Sequence, residues 1–124
     1  LSEHQKAKSC YEKAIKINPN YASAHNNLGE VSRLLGELQK AKSCHQKAIE
    51  INPNNAEWHN NLGIIINELE EPQKAIDCYE KAIEIVDDYS KAHFHLAMLL
   101  KETGSVASND KAKEGTESKP KEKA

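Results

Sequence analysis

Three histidines recur at an interval of 34 residues: His25, His59 and His93. Imidazole nitrogens are common ligands of zinc, so such a set first raises metal chemistry. A single ion needs every ligand nitrogen within about 2 Å, which positions a whole repeat apart cannot supply. The closest pair, His93 and His95, lies two residues apart and would point to different faces of a helix. The histidines therefore predict a structural column between helices and no metal site.

Three cysteines share the same interval, at Cys10, Cys44 and Cys78. A disulfide requires Cα atoms within about 7 Å, whereas the axes of packed helices lie about 8–10 Å apart. Equivalent positions in successive repeats are further apart still, because another helix intervenes. We therefore expect reduced structural thiols and a reducing compartment, the cytoplasm or the nucleus.

Recognisable catalytic motifs are missing from the sequence. It has no Ser/His/Asp or Cys/His arrangement, no glycine-rich phosphate loop and no motif of paired carboxylates. With a net charge of −2 and Arg33 as its one arginine, it lacks the clustered basic face that nucleic-acid binding requires. No apolar run approaches the roughly 20 residues of a membrane helix. These features predict a non-enzymatic protein without a cofactor, whose partners are neither nucleic acid nor membrane.

The elements that position these side chains are themselves repeated. Residues 22–55 and 56–89 are two copies of one 34-residue unit. Residues 1–21 match the second half of the unit, and residues 90–104 match its first half. A period of this length marks a solenoid of stacked supersecondary units, and the apolar residues within each unit recur at helical spacing. The sequence thus predicts an all-α chain with two complete pairs flanked by two half repeats.

Proline and small residues mark where the helices end and where they meet. Asn-Pro-Asn at residues 18–20 and 52–54 should end a helix, because proline cannot continue one. Gly36 marks a tight turn, and Pro72 begins the second helix of the second copy. Close approach between helices should occur where small residues meet: Gly29 facing Ala41, Gly63 facing Ala75, and Ala14, Ala48 and Ala82 against the following unit.

The repeat pattern ends at Gly104. Residues 105–124 carry five lysines and four acids with almost nothing apolar. Such a segment cannot bury enough surface to offset the entropy lost on ordering. We therefore expect a disordered charged tail after the last half repeat.

The motif residues resemble those of the tetratricopeptide (TPR) repeat. Both complete copies contain Asn-Leu-Gly in the first helix, at residues 27–29 and 61–63. The resemblance implies a right-handed solenoid of antiparallel helix hairpins, with the first helix of each hairpin lining a concave groove. It also implies a scaffold that binds a protein partner, as an extended peptide or a helix. The remaining motif positions follow at fixed spacing: Ala41, His45, Ala48 and Pro53 in the first copy, and Ala75, Tyr79 and Ala82 in the second, where Asp87 replaces proline.

The groove implied by this resemblance contains a column of polar residues. Asn27, Asn61 and His95 occupy one equivalent position and are predicted to form a ladder. A carboxamide offers both a donor and an acceptor, so each could hold one peptide unit. The ladder is similar to that of the O-linked N-acetylglucosamine transferase superhelix; the alternative is that these side chains bond to neighbouring helices or water. The full set of predicted groove residues is Asn26, Asn27, Glu30, Arg33, Asn60, Asn61, Ile64, Asn67, Lys91, Phe94, His95 and Met98.

Three alternatives remain beside the peptide groove. The dicarboxylate clamp of TPR co-chaperones is matched by Asn61 and Lys91, but Asn26, Glu30 and His95 depart from its pattern. The unpaired half repeats could instead drive self-association, because uncovered repeat ends lower solubility. The chain could also be the regulatory part of a longer enzyme such as a glycosyltransferase.

Overall fold

Six α-helices make up the part of the chain that the structure describes. The structure, a computed structural model, describes the backbone of residues 1–114 and the side chains of residues 1–104. Within that part there is no β-strand, and no helix combines the length and apolar character needed to cross a membrane. The helices are α1 (Glu3–Ile17), α2 (Ala22–Leu34), α3 (Leu38–Ile51), α4 (Ala56–Glu68), α5 (Pro72–Ile85) and α6 (Ser90–Glu114).

The helices stack in two layers. Helices α2 and α3 form one hairpin and α4 and α5 form a second, while α1 packs on α2, α3 on α4 and α5 on α6. Contacts between α2 and α4 and between α4 and α6 place these three helices side by side on one face. The predicted all-α architecture is confirmed, and its first helices line a common surface.

Local signals place most of the helix ends. The hydroxyl of Ser2 accepts a hydrogen bond from the Gln5 amide, and the side chain of Asn55 accepts one from the Trp58 amide. Proline lies in the first turn of α5, as predicted for Pro72. The turns after α2 and α4 use left-handed residues at equivalent positions, Gly36 at φ +81° and Glu70 at φ +66°. Glutamate therefore adopts, at some steric cost, a conformation that glycine adopts freely.

Small residues lie where the helices approach most closely. Ala41, Ala48, Ala75 and Ala82 are completely buried, as predicted for Ala48 and Ala82, and Ala82 packs in one cluster with Ala92 of the following helix. The nearest neighbours of Gly29 and Gly63 are aromatic rings rather than the predicted Ala41 and Ala75. A Cβ on Gly29 would lie 2.7 Å from Nε2 of His45, and one on Gly63 would lie 2.5 Å from the Tyr79 ring. Each glycine thus makes room for a ring sixteen residues later, because the hairpin brings that large side chain across it.

The last helix extends beyond the predicted end of the repeat. It continues through Gly104 to Glu114, so the first ten residues of the segment predicted to be disordered are helical. Alanine, lysine and glutamate in Ser105–Glu114 favour a helix, and a single glycine costs only about 1 kcal/mol. The remainder of the predicted tail, residues 115–124, lies outside the described residues.

Candidate functional site

A buried asparagine joins the first hairpin to the second. The Oδ1 atom of Asn26 lies 2.9 Å from Nδ1 of His45 and accepts a hydrogen bond of 3.3 Å from Nδ2 of Asn61. Its own amide donates to Oδ1 of Asn27 at 3.4 Å. Asn26 is only 6% exposed, so an unpaired carboxamide there would be costly. The side chain thus links α2 to both α3 and α4.

The next junction repeats half of this arrangement. Oδ1 of Asn60 lies 3.0 Å from Nδ1 of His95, again 35 residues later. The imidazole of His95 also stacks on Tyr79, with ring centroids 5.5 Å apart and an interplanar angle of 22°. Two members of the predicted ladder, Asn61 and His95, are therefore anchored to the preceding first helix. This is the alternative role expected from their polarity, and it occupies one polar atom of each side chain.

Burial keeps the side chains of His45, His95 and Tyr79 in their uncharged forms. Desolvation, together with the nearby positive charge of Arg33, lowers the pKa of His45 to about 4. The imidazole is therefore neutral near pH 7, and Nδ1 carries the proton that it donates to Asn26. Burial also lowers the pKa of His95 and raises the pKa of Tyr79 to about 12. Near neutral pH His45, His95 and Tyr79 are therefore uncharged.

An open cavity of about 540 Å³ lies on the face formed by α2, α4 and α6. Nine residues line it, and eight of them belong to the predicted groove set. The ninth, Ser90, was missed, although it lies four residues before Phe94 and therefore on the same side of α6. The lining residues are Glu30, Arg33, Asn60, Asn61, Ile64, Ser90, Lys91, Phe94 and His95.

The cavity has a polar side, where Arg33 is held by ion pairs, and an apolar side, where Phe94 is exposed. Arg33 bridges two helices, with its guanidinium 3.8 Å from Glu30 and 3.6 Å from Glu68. On the other side, Phe94 is 62% exposed and meets the His95 ring edge-on, with centroids 5.8 Å apart. Lys91 is also exposed, one turn before His95. A ligand in the cavity would therefore meet a cation and an aromatic surface side by side.

Four predicted groove residues do not line this cavity. Asn26 is buried in the junction described above, and Asn67 and Met98 are exposed outside it. Asn27 lines a smaller cavity of about 280 Å³ next to Tyr11 on α1. The predicted ladder is thus divided, with Asn27 in one cavity and Asn61 and His95 in the other.

The repeated histidines and cysteines have structural roles. Nε2 of His25, His59 and His93 each lies 2.8 Å from the backbone oxygen six residues earlier. Each of these histidines is thus a structural link between a first helix and the loop that precedes it. Within the described residues, no cluster of histidine, cysteine and acidic side chains is arranged to hold a metal ion. All three cysteines are free thiols.

Comparison with known proteins agrees with the repeat geometry. A family model described as tetratricopeptide repeat matches residues 20–88, more than half of the chain, and one described as TPR repeat matches residues 1–36. The chain belongs to the tetratricopeptide repeat family. TPR repeats are generally non-catalytic modules of protein interaction. The comparison with curated proteins found no match.

Solved structures share this TPR fold. MamA has a TM-score of 0.77 at 25% identity, and the match covers 82% of this chain but 60% of the MamA chain. The first TPR of Spaghetti (RPAP3), bound to the HSP90 peptide SRMEEVD, has a TM-score of 0.79 at 19% identity, covering 82% and 81% of the two chains. A mutant of the Thermobaculum terrenum O-GlcNAc transferase has a TM-score of 0.75 at 23% identity, covering 80% of this chain and 19% of its own.

Proposed function

We propose that this TPR chain is a protein-interaction scaffold that binds an extended peptide in the cavity between α2, α4 and α6. The observation that carries the proposal is the composition of that cavity, lined by residues of all three first helices. Hydrogen bonds to Asn26 and to Asn60 hold Asn61 and His95 in place through one polar atom each. The carboxamide oxygen of Asn61 and Nε2 of His95 have no hydrogen-bond partner among the described residues, so they can bond to a peptide backbone.

The exposed cation and ring indicate the kind of peptide. Each backbone hydrogen bond contributes only about 0.5–1.5 kcal/mol net, so the ladder alone gives weak binding with little sequence preference. Phe94 and Ile64 supply an apolar contact, and Lys91 supplies an attraction for an acidic side chain. A segment with an apolar residue next to an acidic one fits these features.

The structure of the first TPR of Spaghetti (RPAP3) with a bound peptide supports peptide binding by this chain in general. It does not support binding of that same peptide. That structure is bound to an HSP90 peptide, SRMEEVD, which carries several acids. In this chain, Asn26, Glu30 and His95 stand where the clamp for such tails expects lysine, asparagine and a basic residue. Glu30 also adds negative charge to the cavity, so a strongly acidic tail is disfavoured.

The proposal can be tested with Phe94→Ala and Lys91→Glu, which alter the cavity without removing a contact that holds two helices together. A displayed library of random peptides would be selected on the parent chain, and the affinity of the selected peptides measured by titration calorimetry. We expect both variants to weaken binding about tenfold, with unchanged circular dichroism. Lys74→Glu on α5, exposed and distant from the cavity, is the matched control. Equal affinity of parent and cavity variants would show that the peptides bind another face.

A further inference from the structure

Three hydrogen-bonded side chains connect the interior of the first hairpin to the cavity proposed to hold a peptide. They run from His45 on α3 through Asn26 on α2 to Asn61 on α4. His45 is completely buried and Asn26 is buried, whereas Asn61 lines the cavity. Of the three, only Asn61 is placed to touch a ligand, so the two buried side chains act on the site through it.

The surroundings of the His45 ring decide which of its nitrogens carries the proton. Nδ1 lies 2.9 Å from Oδ1 of Asn26, and Nε2 has no hydrogen-bond partner among the described residues. Nε2 lies against Gly29, 2.7 Å from where a Cβ would be. A proton on Nε2 would be a buried donor without an acceptor, which costs more than a bare lone pair at the same place. The neutral ring therefore carries its proton on Nδ1 and donates it to Asn26.

This hydrogen bond fixes the two neighbouring carboxamides in turn. Asn26 must direct its oxygen at His45, and the same oxygen accepts the 3.3 Å hydrogen bond from Nδ2 of Asn61. The Asn26 amide donates instead to Oδ1 of Asn27, at 3.4 Å. If the Asn61 carboxamide turned over, two acceptor oxygens would face each other with no proton between them. Asn61 therefore keeps its amide in the junction and leaves its oxygen for the cavity that it lines.

The second junction reaches the same polarity without a residue from the hairpin interior. Its acceptor, Oδ1 of Asn60, lies 3.0 Å from Nδ1 of His95, which itself lines the cavity. The ring that corresponds to His45 is Tyr79, and no hydrogen bond joins it to Asn60 in the part of the chain that the structure describes. Only the orientation of Asn61 thus depends on a completely buried ring.

We propose that His45 is a positioning residue for peptide binding, which acts through Asn26 to hold the Asn61 oxygen toward the cavity. This inference rests on the function proposed above and adds a preference to it. An oxygen in that place accepts the backbone N–H of a peptide unit and repels its carbonyl oxygen. Proline has no N–H, so it is rejected at the peptide position that contacts Asn61.

The first test locates the proton on His45 and needs no ligand. Heteronuclear NMR spectra near neutral pH would correlate the ring protons with the ring nitrogens, with His4, exposed on α1, as the internal reference. We expect the proton on Nδ1 of His45. A proton on Nε2 would mean that Asn26 directs its amide at the ring, and it would overturn the proposal.

The second test measures the N–H preference with a peptide selected from a displayed random library on the parent chain. Each residue of that peptide would be replaced in turn by its α-hydroxy acid, so that an ester oxygen takes the place of one N–H. We expect replacement at the position that contacts Asn61 to weaken binding about tenfold, because it leaves the oxygen without a donor. Asn61→Ala identifies that position, since it removes the penalty there.

His45→Phe keeps a buried ring but donates no hydrogen bond, so the carboxamides of Asn26 and Asn61 can turn over. The ester penalty at the same peptide position should then fall to about twofold. Tyr79→Phe, which places phenylalanine at the equivalent position of the second hairpin, is the matched control and should keep the full penalty. Circular dichroism melts would establish that each variant is folded, and if His45→Phe were not, the NMR measurement on the parent would decide alone.

The contrary outcomes separate this inference from the function on which it rests. An equal ester penalty in the parent and in His45→Phe would overturn the positioning role of His45 and leave the peptide cavity in place. A parent without a penalty at any position would overturn the N–H preference. Failure to select any peptide would overturn the proposed function instead, and the proton on His45 would still decide how Asn26 is oriented.

Discussion

The two complete repeats have the same shape but different interiors. Equivalent positions hold Ser32 and Ile66, Lys42 and Ile76, and His45 and Tyr79. The first repeat is organised around the hydrogen bonds of Asn26, and the second around an apolar cluster. That cluster consists of Leu62, Ile66, Ala75, Ile76, Tyr79 and Leu99, with Ile49, Ile64, Cys78 and Leu96 packed against it.

The difference shows which features the hairpin requires. Both repeats keep completely buried alanines on the second helix and a ring over a glycine. Polarity at the centre is not kept, since a neutral imidazole in one repeat replaces a phenol in the other. The geometry of the repeat therefore depends on the sizes of the side chains, while its stability and pH response depend on their chemistry. We expect the second repeat to hold more of the stability and the first to be more sensitive to acid.

Removing Tyr79 should have the largest effect. Tyr79 is 2% exposed and belongs to the apolar cluster, so Tyr79→Ala should lower the free energy of unfolding by about 4 kcal/mol. His45→Ala removes a smaller ring from a more polar site and should cost less. Urea denaturation followed by circular dichroism measures both. If His45→Ala lowered the free energy of unfolding more than Tyr79→Ala, the first repeat and not the second would hold more of the stability.

Acid should weaken the first repeat next most strongly. The folded chain holds the pKa of His45 near 4, whereas the usual pKa is 6.5, so the unfolded chain takes up the proton first as the pH falls. The stabilising contribution is complete above pH 6.5 and is lost between 6.5 and about 4, by up to about 3 kcal/mol. Urea midpoints across this range test the prediction. His45→Tyr should flatten the profile, whereas His4→Gln at an exposed position should not.

A methyl group at either buried glycine should have an intermediate effect. Gly63→Ala would place a Cβ 2.5 Å from the Tyr79 ring, and the displaced ring should cost about 2 kcal/mol. Gly29→Ala should cost a similar amount against His45. Gly104→Ala is the matched control, because a Cβ there meets nothing within 4 Å and should stabilise α6 by up to about 1 kcal/mol. If Gly63→Ala has the same melting temperature as the parent, the packing of the Tyr79 ring does not require glycine at this position.

The buried asparagines should show the smallest effects. Asn60→Ala removes the acceptor of one hydrogen bond from His95 and should cost about 1 kcal/mol. Asn26→Ala should cost about twice as much, because it leaves the buried N–H of His45 without a partner. Thermal unfolding of the two variants, with Asn67→Ala at an exposed position as control, compares them directly. Equal losses would mean that the first repeat does not depend on its polar centre.

The sequence predicts the architecture well because the same residues that end helices or become buried recur in successive repeats. Helix ends at the prolines and the buried alanines follow from the 34-residue period. Eight of the nine residues lining the main cavity follow from the TPR resemblance, which implies that the first helices line a groove, together with helical spacing. The partners of Gly29 and Asn61 do not, because they depend on which residues meet across a hairpin or between neighbouring repeats. Asn61 contacts Asn26, 35 residues away, and only the stacking of helices fixes that register. The sequence does not predict the extension of α6 past Gly104, because the end of the repeat pattern does not mark the end of the helix.

The three histidine-to-backbone bonds have a consequence for how such arrays can grow. Each bond is made to a main-chain oxygen, at Pro19, Pro53 or Asp87, so the joint is the same whichever side chain occupies the loop. Because the histidine bonds to a backbone oxygen, one repeat unit can be duplicated without compensating substitutions in the loop before the next unit. Inserting a second copy of residues 56–89 after Tyr89 would reproduce the same joint on both sides of the insert. The array is in this sense modular, and its length can change in steps of one repeat.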